Sequence, residues 1–364
     1  MTDNSLSYDF SNLGFTEKVQ AQYHQLIVDF GFNDLEGELS YEPARVVKVD
    51  RGFPLVAAPS GSYRTELSSR LAKKARKDAL SRPAVGDWVI VSHPPNHEFG
   101  IVEAFLPRSS SLKRRDPVER KSSGYAQAQQ AIGQVVVANI DLIFVVQALS
   151  SQGCSVNLAR LERELVLAFQ SGAQPVVVLT KADLCSDPEA SARNAAVSTP
   201  GVQVIIESAV TGRGVDEIRR LIKPGVTASL LGASGVGKST LINRLIGTER
   251  QQTGEVRESD ERGRHVTVAR ELIELPLRES DEGSSGGGVI IDTPGMRSLA
   301  LWRAEDGIEL AFPEITAAAD NCRFGDCSHD NEPKCGVKAA VAAGDIDEER
   351  YKRYLHLVKE LGEA

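Results

Sequence analysis

The sequence predicts an α/β protein of several domains, because its hydrophobic pattern changes twice along 364 residues. Five short strand-like runs come first, strands that alternate with helices follow, and a helical region with clustered cysteines comes last. These patterns indicate an OB-type β-barrel, a doubly wound and mostly parallel sheet, and a small helical domain. The expected segments are an N-terminal extension over 1–39, the barrel over 40–108, the sheet domain over 109–303 and the helical domain over 304–364.

The composition is typical of a soluble globular protein, with 41% hydrophobic and 25% charged residues. The longest apolar run, 135–149, contains Asn139 and Asp141 and is too short to cross a bilayer. No secretory signal pattern opens the sequence. We therefore expect a cytoplasmic protein that does not contact membranes.

A helical pattern around 15–30 precedes the barrel, whose strands are expected at 44–50, 53–58, 63–67, 87–92 and 100–106. The strand faces and loops of such barrels commonly hold single-stranded nucleic acid. Few aromatic residues are present to stack on bases. Tyr63, Trp88 and Phe105 fit a hydrophobic core as well as they fit a base-stacking surface.

Charge is distributed unevenly along the chain, whose net charge is −8. Between Arg64 and Lys121, 13 Lys and Arg stand against 7 Asp and Glu, a balance of +6 that leaves −14 for the rest. This segment is either a surface for the phosphate backbone of nucleic acid or a solvated charged face. Part of it, 70–82, would form a basic lip on the barrel, and the basic stretch 107–134 is expected to be a partly mobile linker.

The sheet domain begins where strands and helices start to alternate. Strands are expected at 140–147, 175–179, 202–206 and 226–231, helices at 158–169, 215–222 and 239–246, and further strand-like runs at 266–275 and 289–291, with a turn over 282–288. This alternation predicts a mostly parallel sheet with helices on both faces.

A phosphate-binding loop lies between the strand at 226–231 and the helix at 239–246. It fits G-x-x-x-x-G-K-[S/T], and the residues expected to contact nucleotide are Gly232, Ala233, Ser234, Gly235, Val236, Gly237, Lys238, Ser239 and Thr240. Its glycines let successive N–H groups face phosphate oxygens, where the helix dipole adds positive charge. Lys238 would reach the β- and γ-phosphates, and the Ser239 hydroxyl would bind Mg²⁺.

Three further motifs point to a guanine nucleotide. Asp292-Thr-Pro-Gly295 follows a strand, so Asp292 would hold Mg²⁺ through water and the Gly295 N–H would contact the γ-phosphate. Thr180-Lys181-Ala-Asp183 resembles the base-reading motif of GTPases: Asp183 would accept two guanine N–H groups that adenine lacks, and Lys181 would lie along the base. Ser208-Ala209 would place the Ala209 N–H near guanine O6. The alternative for Asp183 is a helix N-cap.

The order of these motifs is unusual for a GTPase. Most GTPases place the phosphate loop first, whereas here both base-reading motifs precede it. A circular permutation would keep the site, because the site depends on which loops meet at the carboxyl ends of the strands. The γ-phosphate-sensing loop would then lie next to the C-terminal domain.

The C-terminal cluster has the spacing Cys322-x₄-Cys327-x-His329-x₅-Cys335. Three thiolates and one imidazole complete a tetrahedral shell, which predicts one structural Zn²⁺. The helices expected after it, 337–343 and 348–361, are too short to bury a core without the metal. The alternative is a redox or disulfide role for these cysteines. Cys154 and Cys185 are expected to be free thiols.

On these motifs, together with Gly263-Arg-His265 ahead of Thr267, the chain resembles the RsgA (YjeQ-type) family over about residues 40–360. The resemblance implies a circularly permuted GTPase that binds the small ribosomal subunit, contacts its rRNA, hydrolyses GTP and leaves. Thr180 stands where that family usually has Asn, which keeps a hydroxyl to brace the phosphate loop but removes an amide.

Hydrolysis is expected to be slow without a partner. Met296 occupies the position after Gly295, where Ras-like enzymes place a water-orienting Gln. The nearest polar residue that could replace this Gln is His265, and the family resemblance indicates the same residue. Lys238 and Thr267 are expected to contact the γ-phosphate. The alternative for His265 is a histidine at the surface or in contact with RNA. We expect a monomer stimulated by the small subunit. Two other functions stay open: a P-loop ATPase, and a nucleotide-gated RNA-binding scaffold with incidental GTP turnover.

Overall fold

The computed structural model describes residues 10, 12–32, 40–50, 53–94, 97–115, 133–149, 154–247, 270–276, 287–292, 301 and 304–363. The first helix, α1 (Glu17–Asp29), lies in the predicted N-terminal helical pattern. Its N-cap is Thr16, whose side chain accepts a hydrogen bond from the Val19 N–H. The helix precedes the barrel strands, and Tyr23 donates its hydroxyl to the Tyr41 carbonyl at 3.2 Å.

Five strands close into the predicted barrel. They are β1 (Tyr41–Asp50), β2 (Phe53–Ala58), β3 (Gly61–Leu67), β4 (Trp88–Ser92) and β5 (Gly100–Phe105). Strand β1 pairs with β2 and β4, β2 pairs with β3, β3 runs parallel to β5, and β5 pairs with β4. Every strand therefore has two neighbours, which confirms the closed OB-type architecture.

The basic segment after β3 folds as α2 (Ser69–Lys77). Leu71 and Ala75 are buried against the barrel. All five cations of this helix are exposed: Arg70, Lys73, Lys74, Arg76 and Lys77. The helix thus covers the barrel with its apolar face and presents its positive charge to solvent.

Trp88 belongs to the core and is not a base-stacking surface. Its side chain is only 3% exposed, and the rings of Phe10 and Phe15 pack on it with centroids 5.7 and 5.3 Å away. The Arg45 guanidinium lies 5.1 Å from the same ring. For Trp88 the core interpretation is therefore correct.

The stretch expected to be a partly mobile linker is ordered at both ends. Strand β6 (Ser111–Arg115) pairs antiparallel with β7 (Gly133–Ala138), while 116–132 lie outside the described residues. The linker prediction is wrong at these ends, because the basic composition of 111–115 concealed a strand whose Leu112 is buried. This two-stranded ribbon also touches the barrel through a bridge between Val85 and Val137.

The second sheet has the order β10-β9-β8-β11-β13-β12. Its strands are β8 (Leu142–Ala148), β9 (Gln174–Thr180), β10 (Gln203–Ile206), β11 (Thr227–Leu231), β12 (Glu271–Glu274) and β13 (Val289–Asp292). All pair in parallel except β12, which runs antiparallel to β13. The predicted strand 266–275 is shorter than expected, and 266–269 lie outside the described residues. Of the predicted turn 282–288, only 287–288 are described.

Four helices accompany this sheet: α3 (Leu158–Gln170), α4 (Pro188–Val197), α5 (Val215–Leu221) and α6 (Lys238–Ile246). The sequence did not predict α4, because its face toward the sheet is made of small residues such as Ser191 and Ala195. Its N-terminal signal is nevertheless present, since Asp187 accepts a hydrogen bond from the Ala190 N–H and Pro188 follows.

The barrel and the second sheet are continuous. Strand β1 pairs with β12 at Lys48 and Glu271, whose side chains form an ion pair at 3.8 Å. Arg45, only 1% exposed, donates to the carbonyl oxygens of Leu13 and Asn139 and, at 2.8 Å, to the Thr227 hydroxyl. One buried guanidinium therefore joins the N-terminal segment, the barrel and the sheet.

The C-terminal region is helical, as predicted. It contains α7 (Glu305–Ala311), α8 (Pro313–Ala319), α9 (Gly336–Ala343) and α10 (Glu348–Glu363), of which α7 and α8 were not foreseen. Gly307 of α7 packs so closely on α3 that an added Cβ would lie 2.4 Å from the Val166 carbonyl oxygen. In the part of the chain that the structure describes, no helix is both long and apolar enough to cross a bilayer.

Candidate nucleotide site and metal cluster

The phosphate loop connects β11 to α6 as the motif requires. Gly232 has φ +156°, and a Cβ there would lie 2.4 Å from the Val146 carbonyl oxygen, so no larger residue fits. The Lys238 ammonium donates to the carbonyl oxygens of Gly232 and Ala233, each at 2.7 Å. The lysine therefore spans the mouth of the loop, with its charge where phosphate would bind.

Thr180 braces this loop from the neighbouring strand end. Its side chain is buried, and its hydroxyl donates to the Val236 carbonyl inside the loop, with the Gln147 carbonyl farther away at 3.3 Å. The hydroxyl has one proton, and the Val236 oxygen is the closer acceptor. The contact expected of Thr180 is thus present, and it joins the base-reading motif to the phosphate loop.

The two base-reading motifs meet at the carboxyl edge of the sheet. The Ser208 hydroxyl donates to Asp183 Oδ1 at 2.5 Å, and the Ala182 N–H donates to the Glu207 carbonyl at 3.0 Å. Lys181 adopts a left-handed conformation with φ +58°, which turns the chain after β9. The Asp183 residue remains exposed. An exposed carboxylate held by a serine can accept N–H groups from a base.

Glu207 is a residue of this site that the sequence interpretation missed. It directly precedes Ser208, is 1% exposed, and burial, with the neighbouring charge of Asp183, raises the pKa of its carboxyl to about 7. Arg244 opposes this shift and donates to the Ala209 carbonyl at 2.5 Å. A carboxyl after a strand carries no sequence signal that distinguishes a buried group from a solvated one.

The magnesium ligands expected from the sequence are Ser239 and Asp292. Ser239 lies in the first turn of α6, and Asp292 ends β13, the strand beside β11. Asp292 is 7% exposed, and a carboxylate of this kind beside a phosphate loop is suited to bind a hard cation. Gly295, His265, Thr267 and Met296 lie outside the described residues.

A cavity of about 830 Å³ lies between α3, the beginning of the phosphate loop and α10. Glu164 lines it together with Ala233 and Ser234. Its carboxylate accepts a hydrogen bond from Gln147 Nε2 at 2.6 Å, while burial raises its pKa to about 7. This second buried carboxyl beside the nucleotide site was also missed from the sequence, where 158–169 indicated only an amphipathic helix.

The predicted metal ligands Cys322, Cys327, His329 and Cys335 converge, and their ligand atoms all lie within 4.8 Å of one another. The Cys322 and Cys335 sulfurs are 3.8 Å apart, and His329 Nδ1 lies 3.5 and 3.6 Å from them. A tetrahedron with Zn–S bonds of about 2.3 Å and a Zn–N bond of about 2.0 Å has S–S and S–N edges of about 3.8 and 3.5 Å. The cluster therefore fits zinc, and burial lowers the pKa of His329, which favours the neutral imidazole that binds metals.

Cys154 and Cys185 are not free thiols, contrary to the expectation from the sequence. They form a disulfide with Cα atoms 5.2 Å apart, across 31 residues of chain. The reason lies in the sheet: β8 and β9 are parallel neighbours, with Ala148 opposite Thr180, so the segments that follow them leave from the same edge. Spacing along the sequence does not reveal such a pair.

A model of the RsgA GTPase family matches residues 106–302. The small ribosomal subunit biogenesis GTPase RsgA of Syntrophotalea carbinolica is 41% identical over 326 residues, covering 88% of this chain and 84% of that protein. The small ribosomal subunit biogenesis GTPase RsgA 2 of Lactiplantibacillus plantarum is 38% identical over 361 residues, which cover 99% of this chain and 90% of that protein.

Two solved structures match this chain over most of its length. The crystal structure of YjeQ from Thermotoga maritima is 26% identical with a TM-score of 0.61, covering 88% of this chain and 99% of that chain. The crystal structure of YloQ, described as a circularly permuted GTPase, has a TM-score of 0.58 and is 24% identical, and the match covers 89% of this chain and 96% of that chain. This second match shows similarity of fold. The base-reading strand β9 precedes the phosphate-loop strand β11 in this chain as well. The chain therefore belongs to the RsgA GTPase family, and as a member of that family it is a circularly permuted GTP hydrolase.

Proposed function

We propose that this GTPase binds the small ribosomal subunit, assists its late maturation, and hydrolyses GTP to GDP and phosphate in a reaction that the subunit stimulates and that is coupled to release. The observation that carries the proposal is the match to relatives named for small-subunit biogenesis over 84–90% of their length. The exposed cations of α2 support an rRNA contact, because phosphate backbone attracts clustered Lys and Arg.

The proposed nucleotide contacts are those expected from the sequence. Asp183, Lys181 and the Ala209 N–H bind guanine, the loop from Gly232 to Thr240 binds the phosphates, and Gly295 contacts the γ-phosphate. Mg²⁺ binds Ser239 and, through water, Asp292. The contact between Ser208 and Asp183 supports this assignment, because it orients a carboxylate that would discriminate guanine from adenine.

Zinc is proposed at Cys322, Cys327, His329 and Cys335. The protein is proposed to act as a cytoplasmic monomer with domains at 40–108, 109–303 and 304–364 after an N-terminal extension. His265, Thr267 and Lys238 are proposed as catalytic residues, with His265 placed by the subunit, since ordering a loop on a partner is a common way to switch on hydrolysis.

The test is GTP hydrolysis measured alone, with purified small subunits and with large subunits. We expect strong stimulation by small subunits only, and His265→Ala should lose the stimulated rate while keeping GTP affinity. Asp183→Asn is the matched control for nucleotide choice and should lose the preference for guanine, at a cost of roughly 2–4 kcal/mol in binding.

Absence of stimulation by small subunits would overturn the proposed function. Full stimulation of His265→Ala would remove that residue from the catalytic set and leave the rest intact. A scaffold with incidental turnover, the remaining alternative, predicts equal single-turnover rates with and without subunits.

A further inference from the structure

The disulfide between Cys154 and Cys185 lies beside the residue proposed to read guanine. Cys185 directly follows the short 3₁₀ turn Ala182–Leu184, which contains Asp183. Cys154 lies on the segment between β8 and α3, the neighbouring connection at the same edge of the sheet. The disulfide therefore joins the base-reading turn to a second loop.

Backbone hydrogen bonds hold this turn along its length. The Ala182 N–H donates to the Glu207 carbonyl, and the Leu184 N–H donates to the Lys181 carbonyl, both at 3.0 Å. The second half is more exposed, with Leu184 at 52%. The Cys185 N–H also donates to the Ala182 carbonyl at 3.2 Å, so the covalent link to Cys154 adds a second restraint at the end of the turn.

The partner loop is in turn fixed to the beginning of α4. Ser191 donates its hydroxyl to the Cys154 carbonyl at 2.6 Å, and the Ser186 N–H donates to Cys154 Sγ at 3.1 Å. Both cysteines are half-buried, so small thiols and disulfides can reach them. Disulfides in cytoplasmic proteins are usually transient or redox-sensing, so in the proposed location this pair is suited to such a role.

We propose that Cys154 and Cys185 are a reversible oxidation site that sets how tightly the base-reading turn holds guanine nucleotides. This inference rests on the proposed function, because it takes Asp183 as the guanine-reading residue. The oxidised pair holds the turn in the conformation described above. The reduced pair releases it, so that nucleotide binding has to order the turn and becomes weaker.

The chemistry is thiol–disulfide exchange with a low-molecular-weight disulfide as oxidant. One cysteine thiolate attacks the small disulfide, forms a mixed disulfide and releases one small thiol. The second cysteine then attacks the protein-bound sulfur, closes the Cys154–Cys185 bond and releases a second small thiol. Two electrons pass from the protein sulfurs to the small disulfide, and the two protons end on the released thiols.

The experiment measures dissociation of a fluorescent GDP analogue from the full-length protein after treatment with glutathione disulfide or with a phosphine reductant. Alkylation and mass spectrometry verify the state of each cysteine. We expect reduction to speed dissociation by about threefold to tenfold, the scale that loss of preorganisation gives. The double variant Cys154→Ser, Cys185→Ser should dissociate like the reduced protein under both treatments.

This variant also separates the pair from the C-terminal cluster, because it keeps Cys322, Cys327 and Cys335. A redox response that persists in it would overturn the inference, as would equal dissociation rates for verified oxidised and reduced wild-type protein. Failure of glutathione disulfide to link the two cysteines would also overturn it. If neither redox form binds the GDP analogue, both the proposed function and this inference are wrong. If both forms bind it equally, only this inference is wrong.

Discussion

Glu207 shows how one buried carboxyl can link the nucleotide site to pH. Among the atoms that the structure describes, none hydrogen-bonds to its Oε1 oxygen. Burial raises its pKa from 4.5 to about 7, with a further contribution from Asp183. The folded protein therefore keeps a proton between about pH 4.5 and 7 that the unfolded chain has lost, so the free energy of unfolding falls as pH rises through this window.

We predict that Glu207→Gln makes unfolding less dependent on pH. The amide of Gln cannot ionise, so this contribution to the pH dependence disappears. From pH 5 to pH 8 the free energy of unfolding of the variant should rise relative to that of the parent by on the order of 2 kcal/mol, as measured by urea unfolding. Glu164 contributes a shift of the same direction and is unchanged in both proteins, so the difference between the two isolates Glu207. Glu98→Gln, at an exposed position, is the control for replacing one glutamate by glutamine at the surface. Parallel curves for Glu207→Gln and the parent would show that residue 207 is ionised in the folded state.

At the scale of elements, the cysteine–histidine cluster organises the C-terminal helices. Cys335 is the N-cap of α9, and its sulfur accepts a hydrogen bond from the Lys338 N–H at 3.5 Å. Tyr351 of α10 donates its hydroxyl to the His329 carbonyl at 2.5 Å. Both helices therefore depend on the loop that carries the ligands, and a metal that closes this loop would stabilise them together.

We predict one zinc per chain and its loss in the double variant Cys327→Ser, Cys335→Ser. Elemental analysis should detect no zinc in that variant, and hydrogen exchange should show α9 and α10 deprotected. GTP binding should persist, because the nucleotide site is built on the second sheet. The matched variant Cys154→Ser, Cys185→Ser should keep its zinc. A full zinc content after both ligand substitutions would refute the site.

The elements that the sequence predicted correctly share one property: residues close together in the sequence indicate each of them. The barrel strands, the phosphate loop and the cysteine–histidine cluster are each given by residues within a short window, and the fold class is confirmed. Three features that were missed depend on distant contacts. Strand β6 exists because β7 pairs with it, and the Cys154–Cys185 bond exists because β8 and β9 are adjacent. The pKa of Glu207 is raised by burial and by the charge of Asp183, which lies 24 positions earlier.

At the scale of the molecule, the C-terminal helices are joined to the GTPase domain by a buried ion-pair network. Glu162 of α3 is fully buried and accepts hydrogen bonds from Arg350 at 2.9 Å and from Arg353 at 2.6 and 2.9 Å. Arg350 also donates to the Ser198 carbonyl at 2.6 Å, at the end of α4. The same pair of helices carries a second bridge, between Arg163 and Glu360 at 2.7 Å, which is about 30% exposed.

These two bridges make a pair of tests, because both connect α3 to α10, whereas Glu162 is buried against two arginines and Glu360 is about 30% exposed beside one. Glu162→Ala removes the carboxylate from the buried Arg350 and the half-buried Arg353 and should cost about 3–5 kcal/mol in the free energy of unfolding. Glu360→Gln removes a solvated partner and should cost at most about 1 kcal/mol. Urea unfolding gives both values, and hydrogen exchange should show α10 deprotected in Glu162→Ala alone. Equal costs for the two substitutions would mean that burial of Glu162 does not hold the C-terminal helices in place.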